Sequence, residues 1–323
     1  MPSKLMQGLY LSQKQASLRT DLPIPVLKGD EALIKVQLAG VCSTDLEMVR
    51  GYYPFEGIMG HEFVGEVLEA PSCPSMIGKR VAGSINISCG ICEACLKNRR
   101  SHCENRNTLG IWNYDGVFAE YTKLPVENLF VVPDNVTDKE AVFTEPLAAA
   151  LEITEQVHIR PTDKVCVVGA GRLGLLIAQV LKLTGCQLVV VVRRKEPARM
   201  LHDLDIKSMY AEELAGSQFD MVVEVTGSKS GFELSRSLVR PAGTLVLKST
   251  FADDVLVNLS KLVVDEIQVV GSRCGPFAPA LELMSKRLIN TEVLVHKQYP
   301  LARGMEALEE AAKPGMLKVL IKP

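Results

Sequence analysis

The chain of 323 residues is 47% hydrophobic and 23% charged, enough apolar material for two globular domains. Its formal net charge of -2 provides no general positive field for nucleic acid or anionic membrane. No apolar run approaches the roughly 20 residues that span a bilayer, and the opening MPSKLMQGLY lacks a secretory signature, so a cytoplasmic protein is expected.

Up to about residue 140, short strand-like runs are broken by Gly and Pro. In EALIKVQL, Ile34, Val36 and Leu38 alternate with Lys35 and Gln37, the period-2 pattern of a half-buried strand. FVGEVLEA and RVAGSI continue this style and predict a β-rich, barrel-like domain. From about residue 164 the pattern changes. KVCVV reads as a buried parallel strand, GAGRLG follows at once, and LLIAQVLKLTG reads as a helix ending at Gly185. LVVVV, FDMVVEV, GTLVLK and IQVVG are further strands separated by helix-length segments, including a polar helix around EPARMLHDL. Such alternation predicts βαβ units and a doubly wound parallel sheet, an α/β fold. After Cys274 come a helix, a short strand near Val293, the amphipathic ARGMEALEEAA helix and a last strand, KVLIK.

The chain has nine cysteines, an odd number that argues against a disulfide framework. Four form the run Cys89-x-x-Cys92-x-x-Cys95-x7-Cys103. Two-residue gaps let thiolates converge on one ion within a tight loop, which Gly90 helps to turn, and four thiolates make a closed, structural Zn²⁺ site. A Cys₄ iron–sulfur cluster shares this ligand chemistry, but no redox-partner motif accompanies it. Lys97, Arg99 and Arg100 lie in the same lobe and read as one solvated patch rather than a nucleic-acid surface.

A second, open metal site can be assembled from separated residues: Cys42 in GVCSTD, His61 and Glu62 in GHE, and Glu145 in TEPLA. A catalytic zinc keeps three protein ligands and one position for water or substrate, and thiolate, imidazole and carboxylate suit it. Taken singly, Cys42 also reads as a small core residue, His61 as a satisfied buried histidine and Glu145 as a helix start. Spacing alone does not decide between these readings.

Gly169-Ala170-Gly171-Arg172-Leu173-Gly174 is a complete G-x-G-x-x-G between a strand and a helix. Gly169 permits the tight turn, Gly171 lets the backbone approach a pyrophosphate, and Gly174 lets helix and strand pack closely; Arg172 and Leu173 open the helix. An NAD site wants a carboxylate about twenty positions further on. Arg193, Arg194 and Lys195 stand there, with Glu196 beyond the strand end. An arginine pair suits a 2′-phosphate, so NADP is favoured over NAD.

In this order, GVCSTD, GHEFVGEV, the Cys89–Cys103 lobe, TEPLA, GAGRLG and VVEVTG resemble the zinc-containing medium-chain dehydrogenase/reductase family, which includes alcohol, sorbitol and threonine dehydrogenases. The resemblance covers essentially the whole chain. It implies a GroES-like catalytic domain over residues 1–146, completed by 286–323. A Rossmann nucleotide-binding domain over 147–285 is inserted between them, with the active site in the cleft. It also implies two zinc ions per chain, one structural on Cys89, Cys92, Cys95 and Cys103, and one catalytic drawing on Cys42, His61, Glu62 and Glu145. Glu145 falls where the alcohol-dehydrogenase branch has a cysteine, which leans towards the polyol and threonine branch. Thr44 matches the hydroxyl that passes the substrate proton onward, and Asp45 a carboxylate behind the ligands. Arg273 resembles an arginine near substrate and cofactor, and Lys318 a basic residue near the pyrophosphate. Two departures stand out. Glu47 occupies the position of a relay histidine, which puts the outer proton path in doubt, and the chain is somewhat short for the family.

The implied activity is hydride transfer between a secondary alcohol or polyol, or the matching ketone or aldehyde, and NAD(P), with zinc as Lewis acid. Two other readings stay open at this point: an NADPH-dependent carbonyl reductase of the same fold, and a non-catalytic NADP-binding protein with only the structural zinc. The resemblance further implies a homodimer or homotetramer acting on a small molecule, with no nucleic-acid or membrane partner. Tyr52, Tyr53, Phe55 and Trp112 are candidates both for lining the pocket and for ordinary packing.

Overall fold

The computed structural model describes residues 5–51, 53–250 and 254–323, so Tyr52 lies outside the described residues. Two compact units emerge: residues up to Glu145 together with Phe277–Pro323, and Pro146–Pro276. Among the described residues, no helix is long and apolar enough to cross a membrane.

The first unit is β-rich. Its main sheet runs in the order Leu129–Val131, Arg80–Gly83, Glu62–Glu69, Glu31–Gly40, Lys318–Lys322, Val295–Pro300, with Tyr121–Pro125 also paired to Glu31–Gly40. A three-stranded sheet of Gln15–Pro23, Leu5–Ser12 and Gly57–Ile58 accompanies it. The central strand Glu31–Gly40 departs from simple alternation. Lys35 is exposed, but Gln37 is half-buried and every other residue is buried, because neighbouring strands and packing cover both its faces. The carboxyl-terminal strand completes the sheet by pairing antiparallel with this central strand, Leu320 opposite Gly40. The strand expected near Val293 begins later: Glu292–Leu294 is a 3₁₀ turn that buries Leu294, and the strand is Val295–Pro300.

One boundary differs from the sequence expectation. The helix Phe277–Ser285, expected within the nucleotide-binding part, belongs to the first unit. Phe277 stacks on Phe130 with ring centroids 5.2 Å apart, and Asn135 exchanges hydrogen bonds with Ser285. The second crossing therefore falls at Phe277 and not at 286.

The second unit holds a six-stranded parallel sheet: β1 (Lys164–Val168), β2 (Gln187–Val192), β3 (Ser208–Tyr210), β4 (Phe219–Glu224), β5 (Val239–Leu247) and β6 (Gln268–Gly271). Their order is β3-β2-β1-β4-β5-β6, the doubly wound arrangement that binds dinucleotides at the carboxyl edge of its strands. Valine-rich β1 and β2 are buried along most of their length, as a sheet covered on both faces requires. Their interior packs Cys166, Val168, Val191, Val222 and Leu245 into one core. The register aligns Val191, Val168, Glu224, Leu247 and Gly271 across five strands, and these residues mark the carboxyl edge. The helix expected to end at Gly185 spans Arg172–Lys182, with Gly185 at φ +77° in the turn beyond.

Candidate active site and metal centres

The open site arises from strand register. Gly40 pairs antiparallel with Glu62, so the end of one strand and the start of the next bring Cys42 beside His61 and Glu62. Ligand atoms of these three lie within 4.8 Å of one another, although Cys42 and His61 are far apart in sequence. Gly40 is required at this crossing, because an added Cβ would sit 2.6 Å from Glu62 Oε2.

Asp45 ties two members of the group together. Cys42 caps the helix Ser43–Val49, and its backbone N–H donates to Asp45 Oδ2 at 2.8 Å, the N-cap to N3 geometry of a capping box. Asp45 Oδ1 faces His61 Nδ1 at 3.2 Å, an electrostatic contact without the alignment of a good hydrogen bond. Both side chains are buried, His61 at 3% and Asp45 at 0% exposure. Burial works against a charged imidazole, but the Asp45 carboxylate and the Cys42 sulfur outweigh it and raise the His61 pKa well above its ordinary value. With Nδ1 turned to Asp45, Nε2 is the nitrogen left for a metal, the usual division of labour in a ligating histidine.

Glu62 is fully buried and divided between two roles. Oε2 accepts from Lys318 Nζ, whereas Oε1 is buried with no hydrogen-bond partner. An unpartnered carboxylate oxygen beside a thiol and an imidazole fits a divalent cation, since such an oxygen is costly to bury alone. Glu145 is half-buried in the first turn of the helix Thr144–Gln156 and is not part of the mutually close set. Thr44 Oγ1 lies 3.7 Å from Cys42 Sγ, and Glu47 pairs with Arg50 at 2.6 Å.

Lys318 opens the carboxyl-terminal strand that pairs with Glu31–Gly40. The ammonium expected near a pyrophosphate is buried against Glu62, 3.4 Å from the Val41 carbonyl and 5.5 Å from the centre of the Phe143 ring. The pairing of Leu320 with Gly40 dictates this position, and its partner could not be read from the local sequence.

The four-cysteine lobe closes on itself. Sγ–Sγ distances are 3.4 Å for Cys92–Cys95, 3.8 Å for Cys92–Cys103 and 3.5 Å for Cys103–Cys89. A disulfide bond is far shorter, and all nine cysteines are free. Four sulfurs about 2.3 Å from a central Zn²⁺ sit about 3.8 Å apart, so the cluster fits a tetrahedral ion. Backbone N–H groups of Ile91 and Cys92 pull the Cys89 thiol down to about 6, favouring the thiolate that binds metal. Gly90 makes the turn at φ +74°. Tyr53 and Trp112 meet edge to face with centroids 6.4 Å apart, and Phe55 is buried.

In the second unit the glycine motif forms a tight turn packed against the helix that follows it. Gly169 has φ +119°, and an added Cβ would approach the Val225 carbonyl to 2.9 Å. A Cβ on Gly174 would lie 2.0 Å from the Gly169 carbonyl, the close helix–strand packing expected. Gly171 caps the helix Arg172–Lys182, and a Cβ there would meet nothing within 4 Å, leaving a cradle in front of the helix N-terminus for a pyrophosphate. Arg193 and Arg194 are exposed at the end of β2, and no carboxylate pairs with either among the described residues. Arg273 is exposed just beyond β6.

Comparisons with known proteins agree with this architecture. The alcohol dehydrogenase GroES-like domain matches residues 28–134, and the zinc-binding dehydrogenase domain matches 173–286. D-arabinitol dehydrogenase 1 of Uromyces fabae is 31% identical, over 98% of this chain and 97% of its own length. A solved alcohol dehydrogenase from Escherichia coli CFT073, complexed with NADH, superposes with a TM-score of 0.92 at 26% identity, covering 99% of each chain. A zinc-binding dehydrogenase from Sinorhizobium meliloti 1021, bound to NADP, gives 0.91 at 27% identity over 99% of this chain and 100% of that one. These full-length likenesses to dehydrogenases do not favour a non-catalytic binding protein. The chain belongs to the zinc-containing medium-chain dehydrogenase family, and is an oxidoreductase built from that family's GroES-like and Rossmann domains.

Proposed function

We propose that this enzyme oxidises a secondary alcohol or polyol, or reduces the matching carbonyl compound, with two zinc ions per chain and NADP in preference to NAD. The observation that carries this reading is the buried convergence of Cys42, His61 and Glu62 with Asp45 behind them. Bound zinc supplies Lewis-acid polarisation of the substrate oxygen, and the nicotinamide nucleotide accepts or donates the hydride. Cys42, His61 and Glu62 hold the catalytic ion, with Glu62 rather than Glu145 as its carboxylate. Asp45 fixes the positions of both Cys42 and His61. The Thr44 hydroxyl takes the substrate's hydroxyl proton and passes it outward, and Glu47, further along the same helix, is held by Arg50.

Cys89, Cys92, Cys95 and Cys103 hold the second ion, which braces their lobe. The Gly169–Gly174 turn, with Arg172 and Leu173, receives the pyrophosphate, and Arg193 and Arg194 receive a 2′-phosphate. Arg273 acts near the substrate end of the cofactor, and Lys318 acts through Glu62. Two observations support a polyol: the glutamate at 145, and the arabinitol dehydrogenase relative. Exposed Leu259, Val263 and Val264, close in sequence to edge strand β6, support assembly into a homodimer or homotetramer through this sheet. The free cysteines support a reducing, cytoplasmic setting.

Metal content per chain, measured on wild type and on Cys42→Ala, tests the proposal. Two zinc ions falling to one in a folded variant is the expected result. One zinc in both proteins would end the catalytic-zinc reading.

A further inference from the structure

His61 and Glu62 are carried by a short backbone segment, residues 58–60, that is held from outside. Residues 108–118 form a loop stitched to itself. The Ile111 and Trp112 N–H groups donate to the Thr108 carbonyl at 3.0 and 2.9 Å, and the Gly110 N–H donates to the Tyr114 carbonyl at 2.9 Å. The Tyr114 hydroxyl pins the loop to Glu31 Oε1 at 2.8 Å, at the start of the strand Glu31–Gly40 that leads to Cys42. From this loop the N–H groups of Gly116, Phe118 and Val117 donate to the carbonyls of Ile58, Met59 and Gly60, at 2.7, 2.9 and 3.1 Å. The Ile58 N–H donates back to Asp115 Oδ1 at 2.9 Å.

The two segments meet backbone against backbone. A Cβ on Gly116 would lie 2.2 Å from the Gly60 carbonyl oxygen and 2.4 Å from that of Met59, and a Cβ on Gly110 would lie 2.1 Å from the same Gly60 oxygen. Gly60 itself has φ +92° and packs against the Phe118 ring. Carbon–oxygen contacts normally fall at about 3.3–3.6 Å, so a methyl group at residue 116 would part the segments by about 1 Å. The obstacles are main-chain atoms, which cannot rotate aside as a side-chain tip can. His61 is the next residue along. Asp45 orients its imidazole through Nδ1, whereas the loop fixes the backbone from which the imidazole and the Glu62 carboxylate project. Metal–ligand distances tolerate only about 0.2 Å.

We infer that the 108–118 loop is the outer support of the open metal centre, with Gly116 and Asp115 as positioning residues that act through residues 58–60 on His61 and Glu62. This rests on the reading of Cys42, His61 and Glu62 as metal ligands proposed above. Removing an outer support of a metal ligand weakens metal binding about ten- to a hundredfold. The four-cysteine cluster takes no ligand from residues 58–62 and serves as an internal reference.

The test is stepwise metal removal by a chelator, on wild type, Gly116→Ala, Asp115→Ala and Asp115→Asn. Cobalt(II) replaces zinc, so that visible absorption separates a centre with one thiolate from a centre with four. The dissociation constant of the open centre should rise about ten- to a hundredfold in Gly116→Ala, with shifted ligand-field bands, and about three- to tenfold in Asp115→Ala. The four-cysteine centre should be unchanged in both. Asp115→Asn keeps Oδ1 as an acceptor and should stay near wild type. A folded Gly116→Ala protein that holds open-centre cobalt as tightly as wild type, or loosens both centres equally, overturns the inference. Should that variant not fold, the Asp115 pair decides, and Asp115→Ala behaving like Asp115→Asn overturns it. Wild type binding cobalt only at the four cysteines would defeat the ligand reading itself.

Discussion

Lys318 and Glu62 form a buried ion pair, their side chains 3% and 0% exposed, between residues 256 positions apart. Removing one partner of such a pair costs about 3–5 kcal/mol, because the other charge stays in a dry site. Lys318→Met is therefore expected to lower the melting temperature of the metal-free protein sharply. Zinc would return a counter-charge to Glu62, so added zinc should raise the melting temperature more in the variant than in wild type. Thermal unfolding of both proteins, chelated and zinc-loaded, checks this. Equal zinc-induced shifts would count against Glu62 as a ligand.

The cysteine lobe should behave as an independent metal site. Cys92 touches two of the other three sulfurs, so Cys92→Ser opens the cluster. The expected result is loss of one zinc per chain and faster amide exchange around residues 86–108, with the Cys42 site still loaded. Native mass spectrometry with hydrogen exchange reads both outcomes. Loss of both ions together would show that the two sites depend on each other.

How much of this was legible in the sequence follows from contact range. The Cys89–Cys103 lobe and the Gly169–Gly174 turn are local, and residue type and spacing specify them almost completely. The Cys42–His61–Glu62 group depends on the register of Gly40 against Glu62, so residue spacing only nominates its members and the family resemblance joins them, together with Glu145, which lies outside the mutually close set. Lys318 illustrates the limit. Its position follows from a strand pairing across nearly the whole chain, and no local signal names Glu62 as its partner. The boundary at Phe277 escaped because helix Phe277–Ser285 is apolar enough to serve either unit, and the Phe130 stack decides it.

Arg193 and Arg194 stand exposed and without a carboxylate partner among the described residues, available to an anionic ligand. A charge-assisted hydrogen bond contributes about 1.5–3 kcal/mol, roughly ten- to a hundredfold in affinity. Arg193→Ala with Arg194→Ala should weaken NADPH by at least about tenfold and leave NADH nearly unchanged. Fluorescence titration with the two nucleotides separates them. A parallel loss for both would remove the arginines from 2′-phosphate recognition.

Gly174→Ala places a methyl group 2.0 Å from the Gly169 carbonyl, backbone against backbone. Helix Arg172–Lys182 must then move away from β1, carrying its N-terminus off the pyrophosphate position. Nucleotide affinity should fall by at least about tenfold, an overpacking cost of about 1–3 kcal/mol, while both zinc ions stay bound. Zinc content and nucleotide titration on one preparation test this. Unaltered affinity would show that the glycine turn does not seat the cofactor.

Acid stability of the first unit should depend on Glu31. Its carboxylate accepts from the Lys28 backbone N–H at 2.8 Å, Lys123 Nζ at 2.7 Å and the Tyr114 hydroxyl at 2.8 Å. Burial acts to raise its pKa, but Lys123, Tyr114 and Lys28 together prevail and hold it below the usual glutamate range. A carboxyl depressed in the folded state binds fewer protons there than in the unfolded chain. Its stabilisation is therefore complete above the unfolded pKa of about 4.3 and declines as pH falls towards the folded value. Glu31→Gln should cost about 1.5–3 kcal/mol near pH 7, and the gap from wild type should narrow below about pH 4. Urea unfolding of both proteins at pH 7 and pH 3.5 measures the two gaps. A gap that stays constant between them would mean that Glu31 stabilises by packing and not by its charge.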